Sequence, residues 1–80
     1  MWKSHCNNKE ETHDSFKAAF KRIWDYINST ESLSYQELET WIWIIAPNFP
    51  FPMMFYDLRD KAYNEGLLTE DGQLVAEKFQ

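Results

Sequence analysis

Three closely spaced prolines, in Pro47-Asn48-Phe49-Pro50-Phe51-Pro52, constrain this chain more than any other feature. Each removes a backbone donor and holds φ at about −65°, so the segment can be neither helix interior nor central strand. The residue before a proline is also pushed out of the α region, so any helix upstream must stop by Ala46. The fold must therefore be assembled from short elements on either side of a stiff aromatic loop.

Upstream, Phe16, Ala19, Phe20, Ile23, Trp24 and Ile27 fall on one stripe at helical period, opposite Lys17, Lys21 and Asp25. The spacing predicts an amphipathic helix beginning at Asp14 as N-cap. After the polar residues 28–32, Ser34 and Glu37 form a capping box, and Leu33 and Leu38 have the spacing of a hydrophobic staple. A second helix is expected over about 35–46. Downstream, Pro52 suits a first helical turn and Gly66 a left-handed residue past the end, which predicts a third helix over 53–65 with Phe55, Leu58 and Ala62 inside. In the tail, Asp71-Gly72 can turn a small hairpin between Leu67-Leu68 and Leu74-Val75, or a tight turn can lead into a helix from about 72. The second is the expectation. Residues 1–12 lack periodicity and read as a flexible arm. The expected fold is mostly α: a compact bundle of four short helices over 13–80, with a helix-turn-helix-like core and a minimal β-ribbon near 67–75.

A chain of 80 residues buries only a modest fraction of its surface, and four Trp, four Tyr and six Phe are the means by which it builds a dense core. Cys6 stands alone, so no intrachain disulfide forms and a reducing compartment is expected. The first residues lack the apolar core of a signal peptide and no run is long enough to span a membrane, which leads to the expectation of a cytoplasmic protein. The net charge of −5 is uneven: residues 1–33 carry five bases and five acids, whereas 34–80 carry three bases and eight acids.

The string Gly66-Leu67-Leu68-Thr69-Glu70-Asp71-Gly72, followed by Val75-Ala76-Glu77-Lys78-Phe79, resembles the end of winged helix-turn-helix domains. In that family a helix ends at a glycine, two apolar residues enter a sheet, and a Leu-Thr segment leads to a final helix. The resemblance implies a DNA-binding regulator whose third helix enters the major groove. Two features depart from it: the wing between the apolar pair and the Leu-Thr segment is missing or vestigial, and residues 53–65 hold Asp57, Asp60 and Glu65 against Arg59 and Lys61. Phosphate neutralisation supplies most nonspecific DNA affinity, and a net-negative reading helix forfeits it. Lys17, Lys21 and Arg22 are the one basic cluster.

Protein binding is the better use of such a scaffold. In the expected second helix Leu38, Ile42 and Ile45 point inward with Trp41 at the edge, while Trp43 and Ile44 fall on the far side. Phe49, Phe51, Met53 and Tyr56 surround the prolines, and Tyr56, Arg59 and Tyr63 share one shoulder of the third helix. These eight residues, Trp43, Ile44, Phe49, Phe51, Met53, Tyr56, Arg59 and Tyr63, are the candidate contact surface. Glu37, Glu39, Asp57, Asp60, Glu70 and Asp71 would steer the domain to a basic surface. His5, Cys6 and His13 do not make a metal-ligand pattern, and no motif of an enzyme, cofactor or phosphate loop occurs. By size and charge the chain is similar to the small acidic inhibitors that phages and mobile elements direct at host machinery, anti-restriction and anti-CRISPR proteins among them. The other expectations are a winged-helix regulator and a homo-oligomeric structural module.

Overall fold

In a computed structural model, which describes residues 1–30 and 34–79, the chain forms a four-stranded antiparallel sheet and three α-helices. The order is β1 (Trp2–Cys6), β2 (Lys9–His13), α1 (Phe16–Ser29), α2 (Tyr35–Trp41), β3 (Trp43–Ile45), β4 (Met53–Met54) and α3 (Phe55–Asn64), with a short 3-10 turn over Ala76–Phe79. Along the sheet the strands run β2-β1-β3-β4. The expected four-helix bundle is thus replaced by an α+β architecture.

The stretch read as a flexible arm is a β-hairpin, and β1 is a central strand. Asn7 and Asn8 close it with φ of 54° and 60° between the paired residues Cys6 and Lys9. Two successive positive φ values make the type I′ turn that matches the twist of a two-residue hairpin, and asparagine tolerates that conformation better than other non-glycine residues. Side chains alternate across β1: Ser4 and Cys6 are buried, while Lys3 and His5 face the other way.

The expected helix over 35–46 ends early. Ser34 caps it, its Oγ accepting the Glu37 N–H at 3.2 Å, but α2 stops at Trp41 and Ile42 is already extended. The staple partner Leu33 lies outside the described residues. Trp41-Ile42-Trp43-Ile44-Ile45 is an unbroken run of β-branched and aromatic residues, and the strand β3 pairs with β1 through His5 and Trp43 and with β4 through Trp43 and Met54. In a strand Ile44 points inward and is fully buried, which removes it from the candidate contact surface. The same pairing takes Met53 and Met54 from the start of the third helix, which begins at Phe55.

Packed on the inner face of the sheet, α1 contributes Phe16, Ala19, Phe20, Ile23 and Trp24, and α3 contributes Phe55, Leu58 and Ala62. The N-cap of α1 is Ser15 rather than Asp14: its Oγ accepts the Ala18 N–H at 3.2 Å. Rings of Phe16, Phe20, Trp24 and Phe55 form a continuous stack with centroids 5.0–6.0 Å apart. Its outer end is closed by Trp2, edge-on to Phe16 at 5.5 Å, and by the Lys61 ammonium 5.0 Å from the Phe16 ring centre.

A polar clamp joins α1 to β1. Arg22 Nη1 donates to the Ser4 carbonyl at 2.8 Å, the Ser4 Oγ at 3.0 Å and the Lys9 carbonyl at 3.2 Å, and its Nε meets Glu11 at 2.7 Å. Ser4 is fully buried and its Oγ also lies 2.8 Å from His13 Nε2. Burial raises the Cys6 thiol above its ordinary value of 9.0, against the pull of Arg22, so it stays protonated and unreactive at neutral pH.

Gly66, with φ of 74°, ends α3: the Gly66 and Leu67 amides donate to the Tyr63 and Ala62 carbonyls, a Schellman pair that carries Leu67 into the core. Leu68 bridges Leu74, the Thr69 amide donates to the Gln73 carbonyl at 2.8 Å, and Gly72 turns the chain with φ of 78°. The tail therefore takes the minimal-ribbon form near 67–75. The expected helix from 72 is a 3-10 turn that begins only at Ala76.

Candidate binding surface

The residues expected to make contacts separate into three places. The first is the outward side of α3. Tyr56, Asp57, Asp60 and Tyr63 are all exposed, Tyr56 and Tyr63 by 42% and 41%, because the helix turns Phe55, Leu58 and Ala62 to the core. Arg59 is half-buried, its guanidinium 5.2 Å from the Tyr56 ring centre and 5.9 Å from that of Phe55. The ridge continues into the turn that follows: a side-chain carbon placed on Gly72 would sit 3.7 Å from the Tyr63 hydroxyl, and the same turn carries exposed Glu70 and Asp71. Trp24 Nε1 donates to the Gly72 carbonyl at 2.9 Å, which ties this turn to the core. Four carboxylates and two tyrosines are thereby exposed on α3 and on the turn whose Gly72 lies against Tyr63.

The second place is the proline loop. Pro47 and Asn48, the latter with φ of 61°, make a type II turn closed by the Phe49 amide on the Ala46 carbonyl at 3.3 Å. Beyond it Phe49 and Phe51 stand 51% and 67% exposed, edge-on to each other at 5.9 Å. They do not plug the core.

Trp43 marks the third, on the outer face of the sheet. It is half-buried and stacks flat on its cross-strand neighbour His5, with ring centres 3.8 Å apart and 1° between planes. His5 lies 2.8 Å through Nδ1 from the Trp41 carbonyl. A carbonyl only accepts, so Nδ1 carries the proton. Met53, also expected at the surface, is half-buried against the core.

Sequence reasoning missed a hollow of about 470 Å³ between the hairpin tip, α1 and the end of α2, lined by Asn7, Asn8, Tyr26, Glu37, Trp41 and Ile42. Trp41 is its most exposed ring, at 58%. The signal was present in the adjacent asparagines, which are the residues a type I′ turn selects, but without the hairpin nothing brings them near Trp41. Glu39 is exposed on α2 outside this lining.

The basic cluster expected on α1 is largely consumed. Lys21 pairs with Asp25 at 2.6 Å and Arg22 is turned inward to Ser4 and Glu11, which leaves Lys17 as the one member of the cluster with no ion pair among the described residues. His5 and Cys6 point to opposite faces of β1, and among the described residues no three metal-binding side chains gather. Among them, too, no helix is long and apolar enough to cross a membrane. In comparison with known proteins, no family model matches the chain, and neither a curated protein nor a solved structure matches it.

Proposed function

We propose that this domain binds a protein partner that carries a basic surface, and that the α3 ridge is the contact. The observation that carries the reading is the exposure of Tyr56, Asp57, Asp60 and Tyr63 on the outward side of α3, next to a turn that lies against Tyr63 and carries exposed Glu70 and Asp71. Carboxylates steer the encounter with a cationic surface, and tyrosines, with few torsions to freeze, supply contact area at low entropic cost. Such a ridge offers negative charge and flat rings where a nucleic acid offers phosphates and bases. It competes for the same kind of groove, which suits an inhibitor of a nucleic-acid-handling machine. DNA binding by α3 is disfavoured on the same ground, since its outward side would meet phosphates with Asp57 and Asp60.

The test is affinity capture from host extract with the intact chain and with a variant carrying Asp57→Asn, Asp60→Asn, Glu70→Gln and Asp71→Asn. All four positions are exposed, so the fold is retained. The expected result is a principal partner that elutes with rising salt from the native chain and is lost from the variant. Equal retention by the variant, or micromolar binding of mixed duplex DNA by the native chain, overturns the reading.

A further inference from the structure

The hollow at the hairpin tip has a composition that the α3 ridge does not explain. We propose that it is a receptor for the guanidinium of an arginine side chain presented by the partner, an inference that rests on the reading of that partner as basic. Its volume of about 470 Å³ lies within the range of roughly 300–1,000 Å³ that small-ligand sites occupy. Every polar side chain in the lining can accept a hydrogen bond: the amide oxygens of Asn7 and Asn8, the Tyr26 hydroxyl and the Glu37 carboxylate. Neither lysine nor arginine lines it. Among the described residues, the side chains of Asn7, Asn8, Glu37 and Tyr26 have no hydrogen bond or ion pair, so their accepting capacity is unspent.

Geometry selects guanidinium among cations. Glu37 and Trp41 are one turn apart on α2, at i and i+4, and both line the hollow, so a carboxylate and an indole are neighbours on one side of it. A planar cation can lie on the indole and still turn its fork of N–H groups to the carboxylate, whereas an ammonium acts as a point charge and gains less from the ring plane. Trp41 is also held for this purpose by its backbone alone. Ile42 anchors the next residue in the core at 1% exposure, and the His5 imidazole grips the Trp41 carbonyl, while the indole stays free. The same lining of ring and acceptors would suit a pyranose in chemistry, but a carboxylate with no ion pair among the described residues and the acid excess of residues 34–80 favour a cation.

The experiment is a titration of the isotope-labelled intact chain with N-acetyl-arginine methylamide, read by amide and indole resonances. Saturable shifts are expected at the Asn7 and Asn8 side-chain amides and the Trp41 indole, with a dissociation constant on the order of 1–10 mM, the range one stacked cation and one charge-assisted bond supply. Glu37→Gln is expected to weaken binding about fivefold and Trp41→Ala about tenfold, with the remaining amide spectrum unchanged. The neutral citrulline analogue is expected to leave all resonances in place. Equal binding of arginine and citrulline analogues, no saturable shift with arginine, or saturation by methyl glucoside instead overturns the proposal. Loss of the captured partner in the four-site ridge variant while arginine fails to bind would sink this inference and leave the ridge reading standing; the reverse pattern would do the opposite.

Discussion

Arg22→Met isolates the clamp between α1 and β1, because methionine keeps most of the stem and removes the donors. The guanidinium side chain is 17% exposed, so its bonds are only partly screened. Of its four polar contacts, the one to Glu11 contributes least: that carboxylate is 59% exposed, and such pairs are worth about 0–1 kcal/mol. The two bonds to Ser4 count for more, because Ser4 is fully buried and its carbonyl and hydroxyl depend on partners within the protein. A charged donor to a buried acceptor contributes about 1.5–3 kcal/mol, and the Ser4 hydroxyl retains His13, so the net loss is about 2–3 kcal/mol. For a domain of this size that lowers Tm by roughly 8–24 °C, at about 4–8 °C per kcal/mol. A chain this long has about 4–12 kcal/mol in total, so the variant still folds. Urea titration at neutral pH, followed by tryptophan fluorescence and far-ultraviolet dichroism, gives both variants on one scale. Glu11→Gln should cost less than about 1 kcal/mol. A loss below about 1 kcal/mol for Arg22→Met, or a larger loss for Glu11→Gln than for Arg22→Met, would refute the assignment of the clamp to Ser4.

Other consequences are measured on the same instruments. Ser15→Ala removes the N-cap of α1 and should lower stability by about 1 kcal/mol, whereas Asp14→Ala, one residue upstream, should change it by less than about 0.5 kcal/mol. The Cys6 thiol is raised above 9.0 in the folded chain, so on the alkaline side the unfolded chain loses its proton first and stability falls as pH climbs past 9. Cys6→Ala should flatten that slope whatever it does to the absolute stability, and an unchanged slope would remove Cys6 as its source. Phe49→Ser with Phe51→Ser should change stability by no more than about 0.5 kcal/mol, since both rings are exposed; a loss above about 2 kcal/mol would mean that the loop is part of the core.

Helical period was legible wherever one face alone is buried. Phe16 to Trp24 and Phe55 to Ala62 lie inward as their spacing requires, and Ser34 and Gly66 act at the ends where capping chemistry puts them. The strands were hidden for physical reasons that differ from one to the next. β2 is an edge strand with four exposed positions of five, so it has no apolar alternation to find. β1 is central, yet its inward positions include Ser4, whose polarity is met by Arg22 and His13 from elsewhere in the chain. β3 fails in the other direction, since an apolar run from Trp41 to Ile45 satisfies both periods, and only the partners β1 and β4 decide between them. Once the hairpin is mistaken for an arm, the sheet has no centre, and a helix through Ile45 becomes the natural reading.

Ten of the fourteen aromatic residues fall into two groups, and the division says what kind of contact the domain can make. Trp2, Phe16, Phe20, Trp24 and Phe55 form one inner column that replaces a broad aliphatic core, an economical solution for a sheet with only two short helices on its face. Trp41, Phe49, Phe51, Tyr56 and Tyr63 remain 41–67% exposed, but they belong to the hairpin-tip hollow, the proline loop and the α3 ridge rather than to one patch. A single flat apolar face would favour self-association. Outside the proline loop, the exposed rings instead share their elements with acids: Trp41 with Glu37 on α2, and Tyr56 and Tyr63 with Asp57 and Asp60 on α3. That is the arrangement in which a cationic side chain gains from ring and charge together, and it extends the electrostatic argument from the α3 ridge to the far end of α2.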